Sequence, residues 1–335
     1  MRGDRRASKG NDMTQAFLEE PFTFDLHGRR IQAALTKPSA GPAKWGIVII
    51  PGSGPNDVDG NYPPDPMWPG RPHTYADLGR QLSGLGHAVL RYGRGDAVVV
   101  DDKAYAGHAN FAERPLVVAE TVRILNEKSP GLQGIAVAGH SEGSAVGSLL
   151  VARGLAPEVK AFVSLSGPAL RFFDLMLRQV ATWAKDGVLE FGGFKVPFAL
   201  YEKSVLVVRR NEPVPDELRN VPLGFHRMPE DGKQYLRDYD ACDNSALIAE
   251  VPCPVLIVQG GLDGSVFPEN ADRLAEARRS SPARTDKAFF PDLDHFYKRA
   301  QAGQPFARYD EQDVDERVSR AISDWLAKLL RSGPA

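Results

Sequence analysis

The sequence predicts an α/β protein: a mostly parallel sheet with helices on both faces. Three observations carry that expectation. Short β-branched runs alternate with helix-spaced segments along most of the 335 residues. One run, WGIVII at 45–50, is apolar on both faces, as a central parallel strand should be. The alternation fails at about residue 170 and resumes near residue 254, with no internal repeat.

Taken in order, FTFDLHG and RRIQAALTK (22–28 and 29–37) read as an opening hairpin that turns at His27-Gly28. After the 45–50 strand, YADLGRQLSGLG (75–86) has helical spacing with Gly84 and Gly86 as stop signals. HAVLRY (87–92) is the next strand and FAERPLVVAETVRILNEK (111–128) the next helix, with Pro115 in its first turn. IAVAG, a helix after Ser141, and the strand VKAFVSLSG (159–167) follow. The mixed stretch 170–245 holds helix-like RFFDLMLRQVATWAK, a Gly-Gly pair at 192–193 and PVPDELRNVP. It is expected to be a partly helical cap inserted into a core made of residues 17–169 and 246–335. The core closes with the strand PVLIVQGG (254–261), a helix at 268–279, KAFFPDLDH (287–295) and a last helix at 313–330. Residues 1–16 are expected to form a disordered arm, within which Met13 is an alternative start.

Composition narrows the function classes. The 42% hydrophobic and 25% charged residues are those of an ordinary globular protein. A net charge of −2 gives no support for a nucleic-acid or anionic-membrane partner. No apolar run approaches the ~20 residues of a membrane span, and the N-terminus lacks the apolar centre of a secretory signal. Two cysteines, Cys242 and Cys253, supply neither a disulfide framework nor metal-ligand spacing, so no metal and a cytoplasmic, reducing setting are expected. Homo-oligomerisation stays open.

Gly139-His140-Ser141-Glu142-Gly143 stands between a strand-like and a helix-like run, and two readings fit it. Ser141 is either a nucleophile on a sharp strand–turn–helix elbow, where larger side chains at 139 and 143 would crowd the turn, or an N-cap serine beside closely packed glycines. A serine nucleophile needs a base, an acid to orient the base, and N–H groups aimed at the oxyanion. In the elbow arrangement these follow in the order serine, acid, histidine. Of seven histidines, His226 and His295 lie downstream of the elbow, and His226 falls in the irregular stretch. His295 is therefore the candidate base, against the alternative of an isolated surface histidine; His140 should point away from Ser141. Asp263, just after PVLIVQGG, is the candidate acid. Alone it would read as a turn residue, and Asp292 and Asp294 are the second choices. Pro51-Gly52-Ser53-Gly54 leaves its strand with little side-chain obstruction, making the Ser53 backbone N–H one expected oxyanion donor, with Gly54 as second choice. The Glu142 N–H at the helix start is the other. Neither a G-x-x-x-x-G-K-[ST] nor a G-x-G-x-x-G motif occurs, which speaks against a nucleotide site.

PGSGPNDVDGN together with GHSEGS resembles the α/β-hydrolases, and among them bacterial carboxylesterases of the prolyl-oligopeptidase-like branch, over nearly all of residues 22–330. The resemblance implies the α/β-hydrolase fold, a Ser–Asp–His triad, a two-step acyl-enzyme mechanism and no cofactor. Its roles fall on Ser141, Asp263 and His295, with Ser53 and Glu142 as oxyanion donors. RYGRGD (91–96) departs from the pattern: Gly93 stands where relatives more often carry Asp, which bears on local loop contacts and not on the triad.

The separation of Ser141 and Asp263 is about twice what two βα units need; the surplus is the expected cap, which would shape the acyl and alcohol pockets. Phe172 and Trp183, with neighbouring aromatics such as Phe173, Phe191 and Phe194, either line an apolar acyl pocket or form the cap's own core. In NYPPDPMWPGRPH (61–73), Tyr62, Met67 and Trp68 are candidate substrate contacts. The expected reaction is hydrolysis of small to medium carboxylic esters. The same triad would also serve a thioesterase, an amidase or peptidase, or a C–C hydrolase, and the fold also hosts non-catalytic ligand-binding modules.

Overall fold

The chain opens with Phe17–Leu26 (β1) and Arg29–Pro38 (β2), an antiparallel pair joined at His27-Gly28, both with positive φ. That two-residue turn matches the twist of its strands. The structure is a computed structural model describing residues 16–63, 70–94, 98–100, 103–105, 110–191, 193–222, 224–301 and 312–331. The predicted arm, apart from residue 16, lies outside the described residues, as do Met67 and Trp68.

Trp45–Ile50 (β3) is buried at every position. Thr74–Gly84 (α1) and Ala88–Tyr92 (β4) follow, then the short pair Val98–Val100 (β5) and Lys103–Tyr105 (β6). Arg114–Lys128 (α2), Gly134–His140 (β7), Glu142–Ala152 (α3) and Val159–Leu165 (β8) complete the first half. Next come Phe172–Trp183 (α4), the hairpin Val188–Phe191 (β9) and Phe194–Pro197 (β10), Phe198–Arg209 (α5), Glu230–Ala241 (α6) and Asn244–Glu250 (α7). Val255–Gly260 (β11), Glu269–Ala277 (α8), Thr285–Phe290 (β12) and Glu316–Arg331 (α9) end the chain.

Eight strands form one sheet in the order β1-β2-β4-β3-β7-β8-β11-β12. The β1-β2-β4 edge is antiparallel and every pairing from β4 to β12 is parallel. The 3.6- and 2-residue periods divide the core as alternation requires. Val48 and Ile50 of β3 face α2 and α3, while Ile47 and Ile49 face Leu78 and Leu82 of α1 and Val318, Ile322 and Leu326 of α9. Among the described residues no helix is long and apolar enough to cross a membrane.

The segment from α4 to α7 separates β8 from β11, which are neighbours in the sheet. The boundary expected at residue 245 falls inside α7, whose Ile248 is buried in the core and which packs on α3 and α8. Arg278, buried after α8, donates to the Val251 and Cys253 carbonyls, at 2.9 and 3.1 Å, and to Ile248 O, tying the returning chain to the core.

His87 is buried at the start of β4, with Nε2 2.9 Å from Ser323 Oγ of α9. Burial, helped by the charge of Lys44, pushes its imidazole down to about 4. Between that value and the ~6.5 of an unfolded histidine, the unfolded chain binds the extra proton, so stability falls as pH drops through this window. Urea midpoints measured at pH 7, 5.5 and 4.5 should fall steadily for the wild type and less steeply for His87→Gln.

Candidate active site

The strand β7 ends at His140 and the helix α3 begins at Glu142, so the chain reverses on the single residue Ser141. Its backbone, at φ 55 and ψ −124, lies where L-residues rarely go, a strain of order 1–3 kcal/mol that the surroundings must hold. The Ser141 N–H donates to Leu165 O of β8 at 2.8 Å, and the Ser141 carbonyl accepts from Ser144 N–H at 2.9 Å. The side chain makes no capping bond to α3, which leaves the N-cap reading without its defining contact.

Both flanking glycines are required by space. A β-carbon on Gly139 would stand 2.7 Å from Ser144 N and closer still to the Gly143 carbonyl. On Gly143 it would stand 2.9 Å from Pro51 O and inside contact with Ile50 O. The elbow is thereby pressed against the end of β3, and the loop Gly52-Ser53-Gly54 lies beside the serine.

On the other side, the loops after β11 and β12 approach through Gly260 and Gly261, where a β-carbon would stand 2.6 Å from Asp294 O and from Pro291 Cα. This brings Asp263 and His295 together: His295 Nδ1 is 2.8 Å from Asp263 Oδ2. The carboxylate is held in place by Ser265 N–H (2.9 Å), Val266 N–H (2.7 Å) and Gln259 Nε2 (3.1 Å). With a carboxylate accepting at Nδ1, the ring proton belongs there and Nε2 is left as the basic nitrogen. Asp292 pairs instead with Arg317 at 2.8 Å, and Asp294 Oδ1 accepts the N–H groups of Phe296 and Lys298. No hydrogen bond joins Ser141 Oγ to His295 among the described residues; such nucleophile–base contacts are often looser before substrate binds.

His140 links the two sides. Its Nε2 lies 2.9 Å from His295 O, so that nitrogen carries the proton and Nδ1 accepts from Tyr75 OH at 3.2 Å. Tyr75 in turn accepts from Gly52 N–H at 2.8 Å. Burial first, then repulsion from His295, hold the His140 ring neutral, its pKa lowered to about 3. Gly52 N–H is thus occupied. The Ser53 N–H meets no acceptor among the described residues, and the Glu142 N–H is one of the unpaired donors of a helix start.

The Glu142 side chain is a feature the sequence reading passed over. It is buried, and its carboxylate accepts from Ser53 Oγ (2.7 Å), Arg94 Nη1 (3.2 Å), Arg114 Nη1 and the Tyr235 hydroxyl. Burial alone would raise the carboxyl, but the charges of Arg94 and Arg114 and the bonds from Tyr235 and Ser53 outweigh it and hold the pKa below its ordinary value. Arg114 gave one signal: a cation in the first turn of a helix opposes the helix dipole and wants an anion nearby. Arg94, Tyr75 and Tyr235 gave none. Gly93, the departure in RYGRGD, is packed against the 56–58 loop, where a β-carbon would stand 3.3 Å from Val58 N.

The remaining expected contacts separate. Tyr62 reaches Ser53 O at 3.4 Å and stacks edge-on against Phe296, between the Pro51–Gly54 loop and the loop that carries His295. Gly54 has a φ of 86 and accepts from Asn56 at its carbonyl. Phe172 is buried against Phe173, Phe225 and Tyr239, and Tyr239 stacks on Phe111, so it belongs to protein core that runs on from the insert into the main sheet cluster. Trp183 is 41% exposed at the end of α4, on the surface and not in a closed pocket. Trp68 lies outside the described residues.

No family model matches the chain. Over 314 residues it is 25% identical to Esterase EstD of Thermotoga maritima, covering 92% of this chain and 69% of that protein. Among solved structures, a highly thermostable carboxyl esterase from Bacillus coagulans matches with a TM-score of 0.58 at 13% identity, over 95% of this chain and 100% of that one. Est1E from Butyrivibrio proteoclasticus matches with a TM-score of 0.52 at 16% identity, over 92% and 98%. The structural likeness is one of fold.

Gly143→Ala should cost about 3 kcal/mol or more, because its β-carbon meets backbone that cannot yield. Gly154→Ala is the comparison: nothing lies within 4 Å of a β-carbon there, and only the positive φ of 63 is strained, worth about 1 kcal/mol. Urea unfolding of the two variants measures the difference.

Proposed function

We infer that this α/β-hydrolase, a carboxylic ester hydrolase, cleaves small to medium esters through an acyl-enzyme on Ser141. The observation that carries the reading is the Asp263–His295 pair beside a strained serine elbow, with His295 O bonded to the residue next to the serine. The likeness to an esterase over most of the chain supports the ester as substrate.

In this mechanism Ser141 Oγ attacks the ester carbonyl carbon while His295 Nε2 takes the hydroxyl proton. Asp263 holds the ring and stabilises the imidazolium. Negative charge collects on the former carbonyl oxygen, where the N–H groups of Ser53 and Glu142 receive it. The C–O bond to the alcohol breaks as His295 returns its proton to the leaving oxygen. Water, deprotonated by the same nitrogen, then attacks the acyl-Ser141 ester and releases the carboxylic acid and the free enzyme. All of this is done by side chains and backbone, with no cofactor required. The insert carrying α4 to α6 acts as the cap over this edge of the sheet. The free thiols of Cys242 and Cys253 accord with a reducing, cytoplasmic setting.

A panel of p-nitrophenyl esters, matched thioesters and anilides on one preparation should show esters of short to medium acyl chain turned over fastest. Ser141→Ala should lower kcat/KM on those esters by about 10⁴- to 10⁶-fold. Preference for thioesters would move the assignment to that class, and near-native turnover by Ser141→Ala would remove it.

A further inference from the structure

As a cap over the site, the insert would shape the substrate pocket. We propose that it also holds the oxyanion hole: the Tyr235 hydroxyl, on cap helix α6, is a positioning residue for the Ser53 and Glu142 N–H donors. The inference rests on the esterase reading of the site and adds a residue outside the triad.

The path is short. The Tyr235 hydroxyl donates to Glu142 Oε1 and accepts from Arg94 Nη2 at 2.8 Å. Arg94 Nη1 donates to Gly52 O at 3.1 Å. A trans peptide points its carbonyl and the following N–H in opposite directions. Fixing Gly52 O against Arg94 therefore aims the Ser53 N–H the other way, out of the cluster. Arg114 does the same one residue earlier, donating to Pro51 O at 2.6 Å through Nη2 while Nη1 bonds Glu142. Glu142 Oε2 closes the circuit by accepting from Ser53 Oγ at 2.7 Å. Both donor residues are thus fastened to one buried cluster, and the cap supplies one of its members.

Charge gives a second reason for the cluster. A carboxylate on the residue after the nucleophile opposes the oxyanion that forms beside it. Arg94 and Arg114 together exceed its charge and leave the surroundings of the hole net positive, which favours that oxyanion. The Tyr235 hydroxyl keeps acid and bases in register: it donates to Glu142 and accepts from Arg94 Nη2 at 2.8 Å and from Arg114 Nη1 at 3.5 Å. Burial raises its pKa to about 12, so the donating form persists through the working range. Its ring packs against Phe111 at 5.7 Å and Arg94 lies 5.5 Å from its centroid, contacts that a phenylalanine would keep.

The test is Tyr235→Phe on p-nitrophenyl esters of increasing acyl length, with thermal midpoints in parallel. Support for a positioning role is a kcat lowered roughly 10-fold at every length with KM within about twofold. Affinity for an alkylboronic acid, whose tetrahedral adduct carries the oxyanion, should weaken by a similar factor, while inhibition by the product carboxylate stays level. An unchanged kcat, or a loss confined to KM and varying with chain length, overturns the proposal and returns the hydroxyl to packing or pocket shape. Should Tyr235→Phe fail to fold, Arg94→Lys carries the same test. It keeps a cation near Glu142 but loses the planar fork whose two nitrogens separately hold Gly52 O and the Tyr235 hydroxyl; a wild-type kcat there is equally fatal. Ser141→Ala in the same assay separates the two levels. An inert Ser141→Ala beside an unchanged Tyr235→Phe overturns this inference alone, whereas an active Ser141→Ala overturns the site reading and this inference with it.

Discussion

Gly143 lies so close to the end of β3 that a β-carbon there would stand 2.9 Å from Pro51 O and nearer still to Ile50 O. The rest of the site follows from that contact. It presses the first turn of α3 onto the Pro51–Gly54 loop, where Ser53 Oγ donates to Glu142 Oε2 at 2.7 Å. It also fixes how sharply β7 must turn, which puts Ser141 at φ 55. The strain is offset by bonds from Ser141 to β8 and to its own helix. On the opposite side, Gly260 and Gly261 allow the Asp263 and His295 loops the same close approach. Glycines set the distances, and the functional side chains hang from backbone that has no freedom left.

Electrostatics supports this frame from beneath. Taking the Glu142 carboxylate out of water is costly unless it is paired and fully hydrogen-bonded. Two guanidiniums, a phenol and a serine hydroxyl satisfy it. The two guanidiniums also hold the carbonyls of Pro51 and Gly52, so a charge that must be compensated doubles as a clamp on the Pro51–Gly54 loop. The His140–Tyr75 chain is the neutral counterpart: every proton in it has one direction, from Gly52 N–H through to His295 O. One network is ionic and anchored partly on α6 of the insert through Tyr235, the other neutral and built from Gly52, Tyr75, His140 and His295.

Local pattern made much of this legible in the sequence. The Trp45–Ile50 strand was readable to the residue because full burial leaves an unbroken apolar run, and the elbow because its glycines flank a serine between a strand and a helix. The first strand begins five residues before the run at 22, since Leu18 and Glu19 of an exposed edge carry no apolar alternation. Arg94, Tyr75 and Tyr235 were not legible. Each meets the site from a separate part of the chain, and arginines or tyrosines near predicted helices look like surface residues until the fold brings them together. In the sequence Glu142 matters mainly for its backbone N–H, although a lone carboxylate in an otherwise uncharged segment demands a buried partner. Phe172 shows the opposite ambiguity: helical spacing marks a residue for burial but does not say whether protein or substrate will cover it.

The proposed mechanism stands or falls on Ser141 as the nucleophile. Treatment of the folded enzyme with a fluorophosphonate, followed by peptide mass mapping, tests it most directly. One adduct per chain, on Ser141, with hydrolysis lost in proportion, is the expected result. An adduct on another residue, or full modification of Ser141 with hydrolysis retained, would contradict it.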